Sequence, residues 1–122
     1  MSGINYLTDT NALIYLLDGQ ECMKPFLSER LSTSIISEME ILSYPALTED
    51  NEKSVRGLLS KCNIIPVNDE VKEQAIKIRR AHNVKLPDAI VAATAMVNGM
   101  TLLSADKGFE KIDGLTLELL SI

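Results

Sequence analysis

The sequence predicts an α/β fold: a central, mainly parallel sheet of about five strands, covered by helices on both faces. Three observations carry that expectation. Short apolar or β-branched runs alternate with helical patterns along the whole chain, which is how parallel strands joined by helical crossovers read. No repeat, low-complexity tract or linker-like stretch interrupts them, and 122 residues suit one domain, 1–122. Hydrophobic residues make up 46% and charged residues 24%, ordinary globular values. A chain of this length buries roughly two-thirds of its unfolded surface, so its core needs neither disulfide nor metal.

Ile4 to Thr8 reads as a short buried strand, and Asp9-Thr10-Asn11 supplies cap residues for an apolar helix, Ala12 to Leu17, closed by Asp18-Gly19. A short helix follows from Met23 to Arg30, with Pro25 tolerated near its start. Leu31 to Ile36 is the second strand. Ser37 is then placed to cap a helix through about Ser43, stopped by Pro45. Another helix covers Glu49 to Lys61. Asn63 to Val67 is a third strand, and its Pro66 suggests a sheet edge. Asp69 is placed to cap a helix that shows Val71, Ala75, Ile78 and Ala81 on one face. Leu86-Pro87-Asp88 opens a helix ending at Asn98-Gly99, a left-handed stop. Thr101 to Leu103 and Leu115 to Leu119 complete five strands.

Composition excludes several classes. No apolar run is long enough to span a membrane, and Met1 to Asn5 lacks the features of a signal peptide. Cys22 and Cys62 are far apart and show no C-x-x-C spacing. That pattern fits a reducing cytosol and opposes a zinc site, as does the single histidine, His82. Twelve Lys and Arg against seventeen Asp and Glu leave a net charge of −5. Such a chain is not an electrostatic nucleic-acid binder unless bound metal offsets several carboxylates.

Four acids supply that possibility. Asp9 and Asp106 each follow a strand, Glu40 lies just past another, and Asp88 heads a helix that is apolar nearly all round. Each has an ordinary structural role open to it: a cap, a solvated helix position, a favourable place on the helix dipole, an Asx turn. Glu38, two positions from Glu40, faces elsewhere and is the more solvated of the two on this reading. If the strands are neighbours in one parallel sheet, the four acids converge on its carboxyl edge, where ligands bind. Crowded carboxylates repel and resist ionisation. A hard cation, Mg²⁺ or Mn²⁺, resolves that conflict with oxygen ligands.

The residues resemble a family at this point. Thr8-Asp9-Thr10-Asn11 looks like the D-[ST]-N opening of PIN-domain nucleases. Ser34 to Leu42 is similar to their S-x-I-[ST]-x-x-E-[IL] segment, Asp88 to Ala95 to their D-A-x-[IV]-A-A-x-A helix, and Leu103 to Phe109 to their [LV]-[ST]-x-[DN]-x-x-F end. The four motifs stand in the right order over nearly the whole chain, and its small size most resembles the VapC-type toxins of toxin–antitoxin pairs. One departure is Gly108, where many members carry an acid, and it bears on whether a second metal site is filled.

The resemblance implies a PIN-like three-layer α/β/α fold and endoribonuclease activity, with 5′-phosphate and 3′-hydroxyl products. It also implies a small antitoxin partner and a homodimer. The residues separately restrict the chemistry, because one histidine cannot supply the acid/base pair of a metal-free ribonuclease. In-line hydrolysis by water activated on Mg²⁺ or Mn²⁺ is the expectation. Asp9, Asp88 and Asp106 are assigned as metal ligands, and Glu40 as a ligand or as the group orienting the water. Asn11 and Ser104 are placed as supporting hydrogen-bonding groups, with turn and cap chemistry as their other role. Lys77, Arg79, Arg80 and Lys85 form the densest basic cluster, which either tracks an RNA backbone or is a solvated helix face. His82 is read as a surface residue, and Met23, Met39 and Met96 as core filling. Rival functions are a housekeeping RNA-processing nuclease of the same family, a receiver-like signalling module, a metal-dependent phosphatase and an inactive binding protein.

Overall fold

The computed structural model describes residues 5–122. Ile4, the expected start of the first strand, and most of the segment read for a signal peptide lie outside the described residues. The chain runs through β1 (Tyr6–Thr8), α1 (Thr10–Leu17), a 3-10 turn (Glu21–Phe26), β2 (Ser32–Ser34), α2 (Ile35–Leu42), α3 (Glu49–Leu59) and β3 (Asn63–Ile65). It continues through α4 (Asp69–Ala81), α5 (Leu86–Val97), β4 (Thr101–Ser104), a second 3-10 turn (Lys107–Lys111) and β5 (Leu117–Leu119).

The five strands form one sheet in the order β3-β2-β1-β4-β5, and every neighbouring pair is parallel. β3 lies at an edge, as Pro66 behind it suggested. The order also removes the receiver-like alternative, since receivers follow 2-1-3-4-5. Strand pleat sends alternate residues to opposite faces. Leu7 and Leu102 therefore pack with α4 and α5, through Val71, Ala75, Ile78, Ala89 and Ala92. Tyr6 and Leu103 pack the other way, with Ala12, Met23 and Phe26. Leu13, Ile41, Val55 and Leu59 join α1, α2 and α3 on that side. Each fully buried leucine contributes about 2 kcal/mol.

α5 is buried around most of its circumference, with Ala89, Val91, Ala92, Ala93, Thr94 and Ala95 all inaccessible. Its alanines let neighbouring backbones approach closely. The helix stops where expected, at Gly99 with φ +65°.

Four local expectations change. The segment from Met23 to Arg30 is a 3-10 turn over Glu21–Phe26, because Pro25 sits inside it and interrupts α-helical bonding. β2 ends at Ser34, and α2 begins directly after it, so Ser34 rather than Ser37 is the cap: its hydroxyl accepts from Ile36 N at 3.1 Å. Asn68 rather than Asp69 caps α4, accepting from Val71 N at 2.9 Å. Met39 is 51% exposed and fills no core, unlike Met23.

Candidate metal and nuclease site

The sheet order places a reversal between β1 and β4. From β1 the chain builds outward to β2 and β3, then returns to lay β4 on the other flank of β1. In parallel sheets such a switch point opens a crevice beyond the strand carboxyl ends. Asp9 leaves β1 and Asp106 leaves β4, so the two acids stand on either side of it.

The two strands are tied there side by side. Thr8 is in register with Leu103, and Asp9 N donates to Leu103 O at 3.3 Å. The next residue of β4, Ser104, is fully buried and donates from Oγ to Asp9 Oδ2 at 2.5 Å. The same hydroxyl accepts from Asp106 N at 3.0 Å, joining both acids through one oxygen. Asp9 Oδ1 accepts from Ala12 N at 2.8 Å and caps α1. Asp106 Oδ1 accepts from Gly108 N at 2.8 Å and caps the second 3-10 turn. The cap and the candidate ligand are thus the same side chains.

β2 completes the floor with hydroxyls rather than hydrocarbon. Ser32, Thr33 and Ser34 are buried, and Thr33 Oγ1 donates to Thr8 O at 3.0 Å. α2 then carries Glu40 over the start of α1, where Thr10 Oγ1 donates to Glu40 Oε1 at 2.7 Å. Glu38 is half-buried and Glu40 exposed, the reverse of the expected contrast. What brings Glu40 to the site is Thr10, not burial. Asp88 lies in the first turn of α5 and is half-buried.

Electrostatics join these acids. Burial pushes the Asp9 carboxyl above the usual carboxylate range, and the charges of Asp88 and Asp106 push it further, against the hydrogen bonds from Ser104 and Ala12. Burial also raises the Asp88 carboxyl, followed by repulsion from Asp106 and Glu40, with Lys85 opposing. All four acids therefore belong to one electrostatic cluster, which the charge of Lys85 opposes at Asp88.

An all-oxygen, acid-rich donor set of this kind fits a hard divalent cation. As the side chains stand, no three His, Cys, Asp or Glu among the described residues close on one ion. Asp9 is committed to Ala12 and Ser104, and Glu40 to Thr10. Asp88 and Asp106 line a cavity of about 170 Å³.

Asn11 lies exposed on the first turn of α1. The four basic residues divide. Lys85 lines the cavity with Asp88 and Asp106. Arg79 and Arg80 border a groove between α4 and α5 with Lys72. Lys77 lies on the other side of α4 among Asp69, Glu70 and Glu73. His82 is mostly covered, its side chain 17% exposed, with Nε2 3.9 Å from Asp113 Oδ2. Two residues at the site escaped sequence reasoning, Thr10 and Lys111. Thr10 had a signal in its place beside Asp9. Lys111, which lines the Lys85 cavity, had none.

A family model for the PIN domain matches residues 6–115. Among solved structures, a chain of a toxin–antitoxin complex from Klebsiella pneumoniae is 33% identical, with 91% of this chain and 95% of that chain covered and a TM-score of 0.78. A chain of VapBC2 from Rickettsia felis, bound to a promoter DNA fragment, superposes with a TM-score of 0.83 at 19% identity, covering 97% and 100% of the two chains. A chain of DNA-bound VapBC from Salmonella typhimurium gives 0.81 at 21% identity, covering 94% and 97%. No curated protein matches the chain. No helix among the described residues is long and apolar enough to cross a membrane.

Proposed function

The chain belongs to the PIN domain family, and on that premise we propose that it is a Mg²⁺- or Mn²⁺-dependent endoribonuclease, the toxin of a toxin–antitoxin pair. A small antitoxin and a homodimer belong to the same reading, which the relative from the Klebsiella pneumoniae complex supports. The observation that carries it is the meeting of Asp9, Glu40, Asp88 and Asp106 around the β1/β4 switch point, with the Asp9 and Asp88 carboxyls raised by burial and by their acidic neighbours.

Asp9, Asp88 and Asp106, with Glu40, are the residues to hold the cation. A bound divalent ion lowers the pKa of water and stabilises the charge that builds on a phosphodiester. The chain's own residues do the rest. Ser104 fixes the Asp9 carboxylate and, through its acceptor side, the turn that presents Asp106. Thr10 holds Glu40 from the side of its Oε1, leaving the other oxygen to orient a water. The buried hydroxyls of β2 keep this floor polar without adding charge.

The test is cleavage of single-stranded RNA by the purified chain. Excess EDTA abolishes it and Mg²⁺ or Mn²⁺ restores it, while Asp88→Asn lowers it by more than the ~10–100-fold typical of residues behind the ligands. Undiminished cleavage in EDTA overturns the metal-dependent reading.

A further inference from the structure

A chain of net charge −5 that cuts RNA must hold a polyanion against its own field. A cation among the four acids neutralises only the phosphate being cut, and the phosphates beside it need other partners. The cavity next to the acids supplies them. Asp88 and Asp106 line it together with Lys85 and Lys111. From Lys85 and Lys111 in that cavity, the geometry points to a phosphate subsite for the nucleotide beside the scissile bond, an inference that rests on the ribonuclease reading.

Three features favour a phosphate there over a base or a second metal ion. The aromatic residue of the cavity, Phe109, is 3% exposed and packed in the core, so it offers no face for stacking. Two ammonium groups repel a second cation. Neither lysine is used up in an ion pair, for among the described residues no carboxylate lies within 4.0 Å of either Nζ. Lys111 Nζ instead donates to Asn83 O at 2.7 Å. That bond fastens the second 3-10 turn to the loop before α5 and leaves the ammonium's other hydrogens for a ligand. Gly108 lines the same cavity. A Cβ at that position meets Asp106 Oδ1 at 3.0 Å, so a side chain there crowds the cap as well as the cavity.

The experiment is the salt dependence of binding to a 2′-O-methyl oligoribonucleotide, its intact length checked after each titration, followed by fluorescence anisotropy. Parent, Lys85→Gln, Lys111→Gln, the double variant and Lys111→Arg are compared, with Lys53→Gln on α3 as control. Removing one lysine–phosphate pair reduces the slope of log K against log salt by about 0.7 for a single strand. Each Gln variant is expected to bind several-fold more weakly with that smaller slope, and the double variant to show about twice the reduction. Lys111→Arg and Lys53→Gln keep the parent slope and the parent's Mg²⁺-induced rise in Tm. In cleavage assays KM rises while kcat holds for Lys111→Gln. Parent-like slope in the double variant, with the parent binding RNA, overturns the subsite and leaves the ribonuclease reading standing. Failure of the parent to bind RNA overturns both.

Discussion

Asp9 does two things with one carboxylate. Oδ1 caps α1 through Ala12 N, and Oδ2 takes the Ser104 hydroxyl. A cap alone needs no buried serine behind it and gains nothing from standing near Asp88 and Asp106. Ser104 is the residue that separates the two roles, because its hydroxyl bonds Asp9 and the Asp106 backbone and no part of α1. Ser104→Ala is therefore expected to leave α1 capped while freeing Asp9 Oδ2 and orphaning Asp106 N. Loss of a hydrogen bond to a charged group costs about 1.5–3 kcal/mol, and support of this kind is worth about 10–100-fold in metal affinity or activity. Urea unfolding and RNA cleavage measured on the same variant check both. Full activity with the stability loss alone shows that the bond is only structural.

At the scale of elements, what the sequence revealed depended on how local the cause was. α5 was legible because an alanine-rich run from Ala89 to Ala95, apolar on every side, has no solvent face to offer. The acids were legible for a similar reason: Asp9 and Asp106 leave strands directly, and Asp88 opens α5. β2 was harder. Ser32-Thr33-Ser34 is polar by composition yet buried, since strand pairing brings the Thr33 hydroxyl to a backbone carbonyl of β1 and the Thr8 hydroxyl to one of β2. The cap at Ser34 was missed because Ile35 and Ile36 read as strand while their backbone had already turned helical. Thr10 on Glu40 and Lys111 on Asn83 join residues 30 and 28 positions apart, so no short window contains them. The packing of α5 gives its own prediction. Ala92 is fully buried within the α4–α5 layer, and Ala92→Leu overfills a space that neither helix can widen cheaply. A loss of about 1–3 kcal/mol is expected, read as a lower urea midpoint with unchanged m. A neutral or stabilising effect shows that the layer is looser than its burial indicates.

Over the whole molecule, four of the seventeen acidic residues meet at one end of one sheet, and this has a stability consequence with a definite sign. Unfolded, Asp9 and Asp88 ionise near the ordinary value of 3.8. Folded, both hold their protons to higher pH, because of burial first and acidic neighbours second. The native state thus binds more protons in the window above 3.8, and stability falls as pH rises through it. Without metal the full penalty is present once both folded carboxyls are ionised, and at pH below the ordinary carboxylate range it is gone. Asp9→Asn removes it while keeping the cap, since Asn caps about as well as Asp. The variant is therefore expected to melt a few degrees above the parent at neutral pH in metal-free buffer, with the gain vanishing on acidification. Metal reverses the order. An ion bound only by the folded chain adds about 2.7 kcal/mol at one hundred times its Kd, roughly 10 °C in Tm for a chain of this size. The parent should gain that in Mg²⁺ at neutral pH, and Asp9→Asn and Asp88→Asn much less. Melting curves at matched ionic strength, with and without Mg²⁺, decide it. Equal shifts in parent and variants show that Asp9 and Asp88 hold no ion.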